Sequence, residues 1–443
     1  MFLLVPHDVS STSANLWIGA IDEELPLDQV RLAAQLPQAP QQANSGQWPP
    51  ASSRPRVRYG ETLLRGLAPR QTYRLPLTAG GRAVAEAKVT TLPEGLPVAA
   101  SKPFTVFLGS CFSRLEDSEG RAARAYAQMP LSDSPDIKIL AGDQVYLDSP
   151  YQYFFASHPL AELSSKFIDH YKETWGNGAA LRALLEDGEN FFCSDDHEFW
   201  NNAPNVAPHL VDTLPLIGKR DEWWKAALEL YTAFQGGRAL QQFSVPPVSF
   251  LIVDTRINRS ARQTEFMRPA DLAAVERWVR SLTGPGILVI GQPLLRLESS
   301  FLGHFKDWNL PDYRQYKTLT RAIGKCRHSL IILTGDVHYG RIAVGALRSG
   351  AELIEIISSP MSLVDKAAKG KWEEAPPQSA PSAMAPGGVQ TERHFSPNDT
   401  HFLTLELTKR GTGAHLRVRY WPIVGGAGVP ADFGAPIWER TLR

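Results

Sequence analysis

Six short apolar runs in this chain each stop in a knot of small and polar residues. FTVFL (104–108) stops at Gly109-Ser110-Cys111, and DIKILA (136–141) at Gly142-Asp143, with Tyr146 three residues on. NFFC (190–193) leads into Asp195-Asp196-His197-Glu198 and VSFLIV (248–253) into Asp254-Thr255-Arg256. GILVI (286–290) stops at Gly291-Gln292 and SLIILT (329–334) at Gly335-Asp336-Val337-His338. Uninterrupted runs of this length are typical of strands buried on both faces. Between them the apolar positions take a helical period, as at Leu272, Val275, Trp278, Val279 and Leu282; 221–234 and 160–185 also read as largely helical. Strands alternating with helices over 104 to about 345 predict an α/β domain. Ligands of open α/β sheets sit outside the carboxyl ends of the strands, so six such knots predict one shared rim.

The first 95 residues follow another pattern. SANLWIGAI, VRLAAQL and RQTYRLPLTAG read as short half-buried strands, separated by turn signals such as Gly80-Gly81 and SGQWPPASSRP. LLRGLAPRQTYRLPLTAGG and the following AVAEAKVTTLP resemble the late strands of a fibronectin type III sandwich, in which a leucine and a tyrosine of this spacing pack in the core. The expected organisation is a small β-sandwich over 1–95, a boundary within 93–103 and a catalytic domain over 104–443. Residues 366–398 have the Pro/Ala/Gly-rich composition of a long loop or flap. HFLTLELTKRGTGAHLRVRYW (401–421) reads as a hairpin turning at KRGTGA.

Composition adds limits. A chain of 443 residues exceeds one ordinary core, which supports two domains. Lysine plus arginine equals aspartate plus glutamate at 46 each, so no overall charge draws the chain to nucleic acid or an anionic membrane. No apolar stretch approaches the ~20 residues of a membrane span. The opening MFLLVPHDVSSTSANLW lacks a basic start and a clear cleavage site, so it reads as the first strand of the fold. An intracellular location is the default expectation, and a periplasmic or secreted one if a leader has been trimmed. Three cysteines, Cys111, Cys193 and Cys326, do not make a disulfide framework. Cys193 and Cys326 read as core residues, whereas Cys111 stands at a strand end.

The knots carry metal chemistry. Asp143 has two oxygens and can bridge two cations, and Tyr146 can return to the same cation if the segment turns helically. A phenolate is a hard anionic ligand that favours ferric iron over zinc. Asp195 and Asp196 are adjacent carboxylates at a strand end, an arrangement that calls for a cation or donors. Asp196 is the candidate ligand, His197 the candidate general acid, and a carbonyl of Asn201 or Asn202 suits a second hard cation. Asp336 and His338 share a face of an extended segment. The Cys111 thiol, if near cations, becomes a thiolate ligand. Arg256 either grips phosphate oxygens through its planar fork or pairs with a neighbouring acid. Gln292 either faces the site or satisfies backbone groups. No Gly-x-Ser-x-Gly elbow is present, and Cys111 and Phe112 stand where a dinucleotide-binding fold would need glycines.

In order, Gly-Ser-Cys, Gly-Asp-x-x-Tyr, Asp-Asp-His-Glu-x-x-Asn-Asn, Asp-Thr-Arg, Gly-Gln and Gly-Asp-x-His resemble the alkaline phosphatase D family of calcineurin-like metallophosphoesterases, over about 104–345. The resemblance implies a four-layer α/β/β/α sandwich preceded by the small fibronectin III-like β-sandwich. It implies iron on Cys111, Asp143 and Tyr146, and Asp143 bridging to calcium. Asp196, Asp336, His338 and Asn201 or Asn202 would complete the cluster; zinc, manganese or cobalt are alternative metals. His197 and Arg256 would contact phosphate. The implied reaction is hydrolysis of a small phosphate monoester or diester by a cation-activated water. The alternative is a protein of this fold that binds metal and phosphate without turnover. After Gly291-Gln292 the chain departs from the family, reading PLLRLESSFLGHFKDWNLPDYRQY, which bears on the substrate pocket.

Overall fold

The computed structural model describes residues 1–25, 27–50, 52, 54–117, 119–299, 308–362, 375–396, 399–425 and 428–443. The N-terminal strands are β1 (Phe2–His7), β2 (Ser13–Ile21), β3 (Val30–Leu32), β4 (Gln41–Trp48), β5 (Val57–Arg65), β6 (Thr72–Ala79) and β7 (Arg82–Thr90). The middle of the chain alternates β8 (Phe104–Gly109), α1 (Arg121–Ala127), β9 (Ile137–Ala141), α2 (Leu160–Trp175), α3 (Arg182–Glu186), β10 (Glu189–Cys193) and α4 (Arg220–Gln235). It continues with β11 (Leu240–Val245), β12 (Val248–Val253), α5 (Pro269–Ser281), β13 (Gly286–Val289), α6 (Tyr316–Ile323) and β14 (Leu330–Thr334). The last strands are β15 (Gly340–Ala346), β16 (Glu352–Ile357), β17 (Val389–Phe395), β18 (Thr400–Arg410), β19 (Gly413–Ile423) and β20 (Ala435–Leu442).

Among the described residues these strands form three sheets, of orders β20-β19-β18-β8-β9-β10-β1-β2-β5-β4, β11-β12-β13-β14-β16-β15-β17 and β3-β6-β7. The side chains show why the apolar runs are unbroken. Val106, Leu108, Ile139 and Phe191 face Phe250, Ile252, Val289 and Leu333 between the two large sheets. The alternate residues Phe107, Leu140 and Phe192 pack under α1 to α4. On the other side Leu251, Leu288 and Ile332 pack with Val275 of α5 and Leu319 of α6. The layers are therefore helix, sheet, sheet, helix, as the resemblance implied. β8, β9 and β10 run parallel, as do β12, β13 and β14. Each sheet thus delivers three carboxyl ends.

The N-terminal sandwich closes on its own core, which includes Leu4, Leu16, Leu64, Leu75, Leu77 and Val89. Tyr73 packs against it, and its hydroxyl accepts a hydrogen bond from the Ala68 N–H at 2.9 Å. One face of this unit is nevertheless continuous with the sheet that carries β8, β9 and β10, because β1 pairs antiparallel with β2 and parallel with β10. Phe2 and Leu4 enter the sandwich core, while Leu3 and Val5 enter the helix-side core.

Two expectations change. The helical stretch over 160–185 is broken between Trp175 and Arg182, so α3 is a separate short helix. The loop expected over 366–398 is partly packed structure; its positions 366–374, 397 and 398 lie outside the described residues. Ala380, Met384, Ala385 and Val389 are buried in the outer core, and β17 adds an edge strand to β15. Small apolar side chains among prolines fit a tight seam there, and composition alone reads them as loop. No helix of the described residues is long and apolar enough to cross a membrane.

Candidate metal centre

The strand-end knots meet where the two parallel sets end. Close packing of their loops explains two of the glycines. A Cβ on Gly142, whose φ is +96°, would lie 2.6 Å from Asp195 Cβ. A Cβ on Gly335 would lie 2.4 Å from Ser110 Oγ and 2.6 Å from the Ala141 carbonyl. The backbone then turns sharply through residues with side chains: Cys111, Asp143, Asn202, Asp336 and His338 all have φ between +54° and +72°. Left-handed conformations at non-glycine residues are costly and concentrate at functional sites, with Asp, Asn and His the most tolerant.

Asp143 is the hub. Three groups of side chains each bring ligand atoms within 4.8 Å of one another: Cys111, Asp143 and His338; Asp143, Asp196 and His197; and Asp143, Asp195, Asp196 and Asp336. The Cys111 thiol and the Tyr146 hydroxyl both donate to Asp143 Oδ2, each at 3.4 Å. The Ser359 hydroxyl donates to Cys111 Sγ at 3.2 Å. Asp195 joins the cluster beside Asp196, although sequence reasoning chose only Asp196.

The electrostatics show what the site lacks on its own. Burial, then the neighbouring acids, push the pKa of Asp143 well above the carboxylate range, against the pull of His197. Burial and Asp143 likewise raise the Cys111 thiol and the Tyr146 phenol. Four carboxylates, a thiol and a phenol converging in a dry pocket resist ionisation together unless a cation compensates. A bound cation reverses that logic and holds such groups deprotonated. The donor set, oxygen-rich with one sulfur, fits a metal centre.

His197 borders the cluster. Its Nδ1 lies 2.8 Å from Asp148 Oδ1, its ring stacks on Tyr146 at 4.0 Å, and its backbone N–H donates to Asp143 Oδ1. Burial disfavours its charged form, but Asp148, Asp196 and Asp143 together outweigh burial and raise its pKa well above the usual histidine range. Asp148 is fully buried, and its second oxygen accepts the Asn201 N–H at 2.7 Å. Sequence reasoning passed over Asp148, five residues beyond Asp143. Asn201 Nδ2 reaches the Tyr151 hydroxyl, and the Asn202 N–H donates to Asp196. Glu198 braces the corner: its carboxylate accepts the N–H groups of Asp143, Gln144, Val145 and Asp195.

Arg256 is fully buried, as are Cys111 and Asp143. Nε donates to Asp195 Oδ1 at 2.7 Å, Nη2 reaches the same oxygen, and Nη1 donates to the Ala203 carbonyl at 2.6 Å. Of the two readings of Arg256, the pairing with a neighbouring acid is present, because Asp195 is close and equally dry. Gln292 is also buried, and its Oε1 accepts from Arg259 Nη2 at 2.7 Å. Cys193 and Cys326 are buried core residues, as expected.

No family model matches the chain, and none of the curated proteins matches it. Solved structures do. The structure of PhoD superposes with a TM-score of 0.66 at 14% sequence identity, covering 99% of this chain and 91% of that one. A purple acid phosphatase from yellow lupin (Lupinus luteus) seeds superposes with a TM-score of 0.51 at 11% identity, covering 94% of this chain and 71% of that one. At such identities the likeness is one of fold. The chain carries the metallophosphoesterase fold joined to an N-terminal β-sandwich, in an arrangement that extends over nearly the whole of PhoD.

Proposed function

We propose that this protein is a metal-dependent hydrolase of phosphate esters, and that iron and calcium are its metals. The convergence of Cys111, Tyr146, Asp195, Asp196, Asp336 and His338 on Asp143, at the carboxyl ends of the four strands β8, β9, β10 and β14, carries this reading. Cys111, Asp143 and Tyr146 would hold the iron. Asp143 would bridge to calcium, with Asp196, Asp336, His338 and an Asn201 or Asn202 carbonyl among the remaining ligands. Cations bound there supply Lewis acidity toward phosphoryl oxygens and acidify a water molecule.

The chain's own part is placement. Asp148 holds Nδ1 of His197, which turns Nε2 away from that anchor. A proton on Nε2 would pass to the leaving alcohol oxygen as its bond to phosphorus breaks, and a water proton would restore it. Leu147, which follows Tyr146, and Phe199 and Trp200, which follow Glu198, are buried in the helix-side core. The substrate class is a small aryl or alkyl phosphate monoester or diester.

The test is hydrolysis of an aryl phosphate and a bis-aryl phosphate by wild type, Asp143→Ala and Asp336→Ala, beside elemental analysis and visible absorption. We expect iron and calcium with a ligand-to-metal band in the wild type, and loss of both turnover and metal in the variants. Wild-type turnover in both variants would defeat the assignment. A colourless zinc or manganese enzyme would defeat the iron proposal alone. Metal retained by a wild type inert toward both esters would favour a binding protein.

A further inference from the structure

One buried side chain joins both ends of the loop that holds most of the β10 site residues. The loop leaves β10 at Asp195 and passes Asp196, His197, Asn201 and Asn202 before Ala203. Arg256, from the other large sheet, takes Asp195 Oδ1 with Nε and Nη2 at one end and the Ala203 carbonyl with Nη1 at the other. Arg256 and Asp195 are among the least exposed charged side chains, at 0% and 1%. The arginine is itself fixed from behind. Asp254 Oδ1 accepts the Arg256 N–H at 2.9 Å and the Ile257 N–H at 3.0 Å. Asp254 Oδ2 accepts the Ser194 N–H and hydroxyl at 2.9 and 2.8 Å and the Tyr231 hydroxyl at 2.8 Å. The ends of β10 and β12 and helix α4 are thus tied into one dry polar network, whose members support one another in a low dielectric.

We infer that Arg256 is a positioning residue: acting through Asp195 and the Ala203 carbonyl, it fixes the span of the 195–203 loop and so sets where Asp196, His197, Asn201 and Asn202 stand relative to Asp143. The planar fork matters more than the charge, because three nitrogens at fixed angles reach both loop ends at once. Lysine, a single flexible point charge, can satisfy only one of them. The inference rests on the metal-centre part of the proposed function.

The experiment compares wild type, Arg256→Lys, Asp195→Asn and the double variant. Each is stripped of metal with a chelator and titrated with calcium ions, and the calcium-dependent shift of the unfolding midpoint is read; kcat, KM and inhibition by inorganic phosphate follow. Arg256→Lys and Asp195→Asn are each expected to weaken calcium binding and lower kcat about 10–100-fold, as supporting partners of metal ligands do. KM and phosphate inhibition should change little. The double variant should be no worse than the more impaired single variant, because the two residues act as a unit. Weakened phosphate inhibition with unchanged calcium binding would overturn the inference in favour of direct phosphate contact. A lower metal-free midpoint with unchanged calcium binding and kcat would reduce Arg256 to a structural role and also overturn it. So would fully additive effects in the double variant. If Arg256→Lys does not fold, Arg256→Gln, which keeps the loop-side acid and carbonyl but not the fork, decides by the same calcium reading. A wild type that binds calcium but hydrolyses no ester refutes the hydrolase and leaves the calcium arm in force.

Discussion

Asp148 is the residue that the proposed mechanism needs and the motifs do not announce. With one oxygen on His197 Nδ1 and the other on the Asn201 N–H, it fixes the tautomer and direction of the imidazole. Asp148→Asn keeps the shape but removes the charge that raises the pKa of His197, the proposed proton donor. We expect kcat to fall about 10²–10⁴-fold with an alkyl phosphate, whose leaving oxygen needs the proton. A nitrophenyl phosphate should be much less affected; equal losses on both esters would show that His197 is not the acid. Much of the site was readable residue by residue, because Asp143, Asp196, Asp336 and Cys111 are costly at strand ends unless they serve one another. Asp148 was not readable, since an aspartate after Tyr146 fits a surface turn equally well until the fold brings His197 to it. Arg256 was ambiguous for the same reason: sequence gives a guanidinium at the rim but not the direction in which it points.

The elements carry the same lesson. The six parallel strands were legible because burial on both faces leaves no polar alternation in FTVFL or SLIILT. β1 had that signature too, but FLLVPH gives no indication that its two faces serve different cores. β17 was hidden because VQTERHF is half polar at a sheet edge. The joint between sandwich and α/β layers is also built by β2: Trp17 donates to the Ala233 carbonyl of α4 at 2.7 Å and packs on Trp175 and Phe234. Trp17→Ala should therefore destabilise the protein by about 3–5 kcal/mol. Calorimetry should show one transition moving down, with no separate early melting of residues 1–95. Two resolved transitions, only one of them shifted, would mean that the shared sheet does not couple the two parts.

At the scale of the molecule, three histidines lie deep in different regions and set an acid limit on stability. Burial lowers the pKa of His7 and of His170 to about 4, and that of His401 to about 3. In the unfolded chain each takes up a proton below about pH 6.5. Their neutral folded forms therefore contribute stability that is intact above pH 6.5 and is lost as pH falls toward 4. Each adds about 1.4 kcal/mol per pH unit to the slope in that window. His401→Gln should flatten the fall between about pH 6 and 4 by one such increment, as read from denaturant midpoints across pH; an unchanged slope would show that His401 is not a contributor. The order of the large sheet has one more consequence, for the chain as it is made. β8 is flanked by β9 on one side and on the other by β18, which pairs Leu403 with Leu108. At about 5–20 residues per second, β18 leaves the ribosome roughly 15–60 s after β8. Through that interval β8 stands as an unpaired edge, so any factor that covers that edge has a defined window in which to act.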